Sequence, residues 1–161
     1  MTVTPQPHPT PQPPPAALLQ VAGHLDGEAV GRLVAASADL SLVVDADGVI
    51  RDATAAADLE AENIPGWLGR RWIDTVTVES RPKVDALLRD AQTGGITRWR
   101  QINHPSPSGI DLPIRYASLR SVEGGPILIL GRDMRAVAAL QRRLTDAQQA
   151  LERDYDRLRA S

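Results

Sequence analysis

The sequence predicts an α+β fold: a five-stranded antiparallel sheet with helices on one face, followed by a C-terminal coiled-coil helix. Three observations predict it. Two short apolar runs flank an Asp-Gly turn, and three more strand-like runs follow a helical stretch. The last thirty residues carry almost no breaker and repeat apolar residues at steps of three and four.

Residues 1–15 hold seven of the thirteen prolines in a near-alternating pattern. Proline fixes φ and lacks an amide donor, so this stretch reads as a disordered, solvated leader. Residues 16–36 read as an N-terminal helical extension, with Leu18, Leu19 and Val21 before Gly23, and Val30, Leu33 and Val34 after Gly27. Asp26 stands where the second piece needs an N-cap.

From Ser37 the period changes. Leu40–Val44 and Val49–Ala53 are β-branched and apolar, and Asp45-Ala46-Asp47-Gly48 between them suits a tight hairpin. Ala55–Glu62 reads as helix, with Pro65-Gly66 as its stop, and Trp67–Trp72 as a turn or short helix. Glu79–Gln92 is a helix with Val84, Leu87, Leu88 and Ala91 on one face and Gly94-Gly95 as terminator. Three strands follow. Ile96–Asn103 alternates, Ile110–Ser121 is interrupted by Pro113 and so suits an edge or bulge, and Pro126–Gly131 is nearly all apolar. The last of these belongs in the middle of the sheet, beside the first strand.

Met134–Ala160 contains no Gly or Pro. Val137, Leu140, Leu144, Ala147, Leu151 and Leu158 form a heptad-like row, the dimerisation seam of a coiled coil. Asp154 breaks the row beside Tyr155. Two roles stay open for it: selecting register and partner number at a cost in stability, or lying solvated on a frayed turn. With no Gly cap before Ser161, residues 134–161 read as a truncated linker helix.

Composition narrows the function. A net charge of −2 gives no basic field for DNA or an anionic membrane, and Lys83 is the one lysine. No apolar run reaches the roughly 20 residues that span a bilayer, and the start lacks a signal-peptide pattern. The expectation is a cytoplasmic protein with no membrane partner. The absence of Cys excludes disulfides, thiolate catalysis and Cys-ligated metal. With no Phe and only Trp67, Trp72, Trp99, Tyr116 and Tyr155, the core should be aliphatic and packed by side chains, with no cofactor.

Nothing reads as an enzyme. Ser106 and Ser108 lie close to His104, but in a Pro-rich stretch that reads as a polar hairpin loop. Asp45 and Asp47 are turn formers, and Asp58, Glu60 and Glu62 read as a solvated helix face. No Gly-rich phosphate loop and no His-x-x-x-His metal spacing is present. Asp133 stands where it can cap the exit helix.

The order of elements is that of a PAS domain. The chain resembles PAS domains at Leu42–Ile50, at Trp67–Trp72 leading into Glu79–Gln92, and at Leu130-Gly131-Arg132-Asp133-Met134. It is also similar to the N-terminal domain of PpsR/CrtJ-type repressors of photosynthesis genes. Residues Ala35–Val44, Ile102-Asn103-His104, Leu112–Tyr116, Ile129–Arg135 and Leu151–Tyr155 carry that resemblance, from about Ala35 to Tyr155. It implies a PAS-like domain over residues 37–133, a Gln-containing linker helix, and a role in homodimerisation and signal relay through Asp133, Met134 and Arg135. It further implies a homodimer or higher homo-oligomer, and an antirepressor or photoreceptor protein as partner. The family's helix-turn-helix and redox-active cysteines have no counterpart here, so this segment should not bind operator DNA directly. The competing expectation is a ligand- or haem-binding sensor PAS domain. A flavin photoreceptor of the usual type needs a reactive Cys, and haem-binding relatives offer a His on the helix matching Glu79–Gln92, which has none.

Overall fold

Hydrophobic alternation and one turn build the first sheet edge. In the computed structural model, which describes residues 16–120 and 122–160, strand β1 is Leu40–Val44 and β2 is Ile50–Ala55. Gly48 takes the positive φ of 78° that the hairpin needs. Asp45 closes the turn by accepting the amides of Asp47 and Val49 at 2.9 and 3.0 Å. Those amides and the Arg51 guanidinium hold its carboxyl below the usual carboxylate range. The expected leader, residues 1–15, lies outside the described residues.

The remaining strands are β3 (Arg100–His104), β4 (Leu112–Arg120) and β5 (Ile127–Asp133). All pair antiparallel in the order β2-β1-β5-β4-β3. This is the PAS order, with the apolar last strand central and beside the first, as expected. Pro113 sits at the start of β4, opposite Asn103, and the β5 ladder begins only at Ile114. Its missing amide therefore costs no bond to the central strand.

Leu40, Leu42, Val44, Ile50, Ile102, Ile114, Ile127 and Ile129 point to one face and are fully buried. Helix α3 (Arg81–Ala91) covers them with Val84, Leu87 and Ala91. Short 3-10 turns at Ala57–Glu62, Ile64–Trp67, Trp72–Thr75 and Val78–Ser80 add Leu59, Ile64, Trp67, Trp72 and Val76. The core is thus not purely aliphatic. Three of the five aromatic residues, Trp67, Trp72 and Tyr116, lie inside it.

Other departures from the sequence reading have local causes. The helix expected over Ala55–Glu62 is a 3-10 turn, ended by Asn63 in the left-handed region at φ 52° rather than by Pro65-Gly66. Pro65 instead opens the next turn, where a missing amide is harmless. The strand expected from Ile96 is regular only from Arg100. There the Thr97 hydroxyl accepts the Ser118 amide at 2.8 Å, replacing a ladder carbonyl, and Ile96 keeps a single bridge to Leu119.

The chain divides into two units at Leu33/Val34. In the first, α1 (Ala16–Ala22) leads into α2 (Gly27–Ser37), whose start is capped by Asp26 accepting the Ala29 amide at 2.8 Å. In the second, α4 (Arg135–Ala160) follows β5 after one residue.

Gly131 is the tightest backbone position in the sheet. A Cβ there would lie 2.8 Å from the Tyr116 ring and 2.9 Å from Ile114 Cγ2, both on the neighbouring strand. Gly131→Ala should destabilise the domain by about 1–3 kcal/mol, read as a lower urea midpoint at unchanged slope.

Candidate functional site

The site is the junction where the central strand becomes the exit helix. Asp133 ends β5, Met134 is the single linking residue, and Arg135 starts α4. Each is tied to a different part of the domain. The Asp133 amide donates to Asp39 Oδ2 at 2.9 Å, just before β1. The Met134 amide donates to the Pro113 carbonyl at 2.9 Å, on β4. The Asp133 carboxylate accepts the Arg135 amide at 3.0 Å, which is the expected cap on the exit helix.

The same carboxylate holds the Arg135 guanidinium, with Nε 2.9 Å and Nη2 2.7 Å from Oδ2. Nη2 also donates to the Asp58 carbonyl at 2.9 Å, and Nη1 lies 4.0 Å from Glu62 Oε1. Asp133 raises the Arg135 pKa further, so the guanidinium stays charged. Glu62 in turn accepts the Ser106 hydroxyl at 2.7 Å. One guanidinium thus joins strand end, helix start, the Ala57–Glu62 turn and, through Glu62, the β3–β4 loop.

This corrects the reading of Glu62 as a solvated helix residue. Its side chain is only 13% exposed, because the Ser106 loop and Arg135 close over it. Asp58 and Glu60 are exposed as expected.

His104 stands at the end of β3 and is fully buried. Nδ1 is 2.7 Å from the Thr75 carbonyl, which can only accept, so Nδ1 carries the proton. Nε2 therefore accepts the Tyr116 hydroxyl at 2.6 Å. Trp67 stacks on the imidazole at 4.3 Å, and Trp72 meets Tyr116 edge-on at 5.3 Å. Both ring nitrogens of His104 are engaged, leaving no lone pair for a haem iron. Burial lowers its pKa to about 4 and pushes that of Tyr116 well above 10. Among the described residues, buried Trp72 Nε1 has no hydrogen-bond acceptor in reach, a polar cost inside this cluster.

His104 was legible by parity. It stands two residues beyond Ile102, as Tyr116 stands two beyond Ile114, so both share the inward face. The Glu62–Ser106 and Arg135–Asp58 contacts join residues 44 and 77 apart, and no sequence signal marks them.

The expected seam runs along α4. Leu140, Leu144, Leu151 and Leu158 are 55, 63, 70 and 75% exposed in the single chain. Val137 and Ala147 are also exposed. Asp154 is exposed and 3.5 Å from Arg157. At 100° per residue the seam lies about 170° around the helix from Arg135, Ala138, Ala139 and Arg142. Those four residues line a groove against the β3–β4 loop.

The chain is 34% identical over 125 residues to Protein CrtJ of Rhodobacter capsulatus, covering 77% of this chain. Over this segment the chain is a relative of CrtJ. It spans about a quarter (26%) of the length of CrtJ. No protein-family model matches. Among solved structures, the PAS domain of an HTR-like protein from Haloarcula marismortui is 25% identical at a TM-score of 0.49, covering 66% of this chain and 97% of its own. The PAS domain of Bordetella pertussis BvgS is 16% identical at a TM-score of 0.42, covering 76% and 97%. By its strand order, β2-β1-β5-β4-β3, the CrtJ-related segment of this chain is a PAS-like domain, with a helix leaving its central strand.

The buried imidazole makes stability depend on pH. His104 is neutral in the fold with a pKa of about 4, against 6.5 ordinarily, so between those values the unfolded chain binds the extra proton. Its contribution is complete above pH 6.5 and is lost as pH falls towards 4, by about 3 kcal/mol in all. Unfolding free energies across that range should fall less steeply for His104→Gln than for the wild type.

Proposed function

We propose that this chain is a regulatory module of a PpsR/CrtJ-type transcriptional repressor, acting by self-association and signal relay. It is not an enzyme and does not touch operator DNA itself. The supporting observation is the exposed leucine row on α4, set opposite the side that faces the domain. Each Leu buried in a helix pair contributes roughly 1.5–3 kcal/mol of transfer energy, enough in sum for a micromolar dimer. The outer sheet face, with Val43, Leu128 and Leu130 half-buried and Leu119 exposed, adds a second apolar surface for the partner copy.

The junction supports the relay. Displacement of the central strand reaches α4 through Asp133, Met134 and Arg135 with no flexible loop between them. The DNA-binding element and any antirepressor or photoreceptor contact belong to the rest of such a repressor, which works in the cytoplasm.

Two measurements test this reading. Light scattering should give a dimer at micromolar concentration for the wild type and a folded monomer for Leu144→Glu/Leu151→Glu. A monomeric wild type at high concentration would sink the proposal. In a full-length relative, a two-residue insertion after Arg135 turns the seam by about 200°. It should abolish regulated repression, with Asp133→Ala giving a milder defect; equal repression by all three would reduce the junction to a tether.

A further inference from the structure

The groove between the β3–β4 loop and the first two turns of α4 is independent of both the seam and the buried His104 cluster. Its volume is about 380 Å³, within the range of small-molecule sites. Leu112, Pro113, Ala138 and Ala139 belong to its apolar lining, and Glu62, Asp111, Arg135 and Arg142 are its charged lining residues. Because the seam lies on the far side of α4, pairing of two copies leaves the groove open.

The charges within it are not cancelled. Arg135 also lines the groove, but Asp133 neutralises it by a two-pronged contact. Glu62 keeps acceptor capacity, since a carboxylate offers about four lone-pair sites and this one receives the Ser106 hydroxyl and a guanidinium only at 4.0 Å. Arg142 and Asp111 make no hydrogen bond or ion pair among the described residues. Glu62 stands beside Arg135 at the helix start, and Arg142 lies seven residues on, about 10 Å along the axis. An underused anion at the helix start and a cation about 10 Å further along α4 thus flank an apolar trough, with the Asp111 carboxylate as a second anion in its lining.

We propose that this groove binds an elongated small-molecule zwitterion. Its ammonium pairs with Glu62, its carboxylate with Arg142, and its hydrocarbon body lies on Leu112, Pro113, Ala138 and Ala139. Charge complementarity selects this class over simple fatty acids or amines, which satisfy one end only. Such a ligand bridges the loop, the Ala57–Glu62 turn and the first two turns of α4, so it clamps the helix root.

Titration of the 161-residue chain with ω-aminooctanoate, followed by amide NMR shifts, tests this. Saturable shifts centred on Leu112, Ala138 and Ala139 are expected. Affinity should drop about tenfold in Arg142→Ala and in Glu62→Gln, as loss of one charge-assisted contact implies. Octanoate, octylamine and glycine should each bind more weakly, the first two lacking one charge and glycine lacking the length. Arg142→Ala is a surface change, so it keeps the test valid even if Glu62→Gln unfolds. Absence of shifts, equal affinity for octanoate or octylamine, or affinity unchanged in Arg142→Ala would overturn the proposal.

Discussion

The pairing of β5 between β1 and β4 is the constraint on which everything else rests. Neither neighbour of β5 completes a sheet without it, since five β1 residues and seven β4 residues pair with this one strand. These are contacts between distant parts of the chain, so their loop-closure cost must be met by a strand that is apolar and fits without strain. Ile127 and Ile129 supply the burial, and Gly131 lets Tyr116 lie across the strand at van der Waals limits. A central last strand also dictates where α4 leaves. It departs from the middle of the sheet, where Asp39, Pro113 and Asp58 are all within reach of three consecutive residues.

The interior balances two kinds of packing. Most of it is interlocked aliphatic side chains, but one corner is a chain of aromatic and polar groups from Trp67 through His104 and Tyr116 to Trp72. Each hydrogen bond in that corner is directional, so it fixes the depth of the Trp72–Thr75 turn against β3 and β4 more sharply than apolar contact would. The cost is the desolvated imidazole and the orphaned indole nitrogen. Removing one partner leaves the others buried without a substitute.

Much of the architecture was legible in the residues because it follows short-range rules. A short apolar, β-branched run marked β1, a nearly continuous apolar run marked β5, Asp-Gly marked the first turn, and Gly94-Gly95 marked the end of α3. The Asp133 cap was readable for the same reason. Reading failed where a side chain does backbone work or where contacts skip across the chain. Thr97 replaces a ladder acceptor with its hydroxyl, so alternation alone overextended β3. Asn63 adopts a left-handed conformation that its neighbours do not advertise. Glu62 looked like one of three alternating surface acids, and only the fold brings Ser106 and Arg135 to it. His104 looked polar by company, although its parity with Ile102 placed it inside.

The length of α4 turns its anchorage into a lever. The helix has 26 residues, so it is about 39 Å long at 1.5 Å per residue. Among the described residues its hydrogen bonds to the domain lie at its root, through Arg135 and the two residues before it. A rigid rod of that length moves its free tip by about 0.7 Å for each degree of tilt at the fulcrum. A rearrangement of a few tenths of an ångström around Arg135 is then magnified to the scale of a side-chain contact at Leu158.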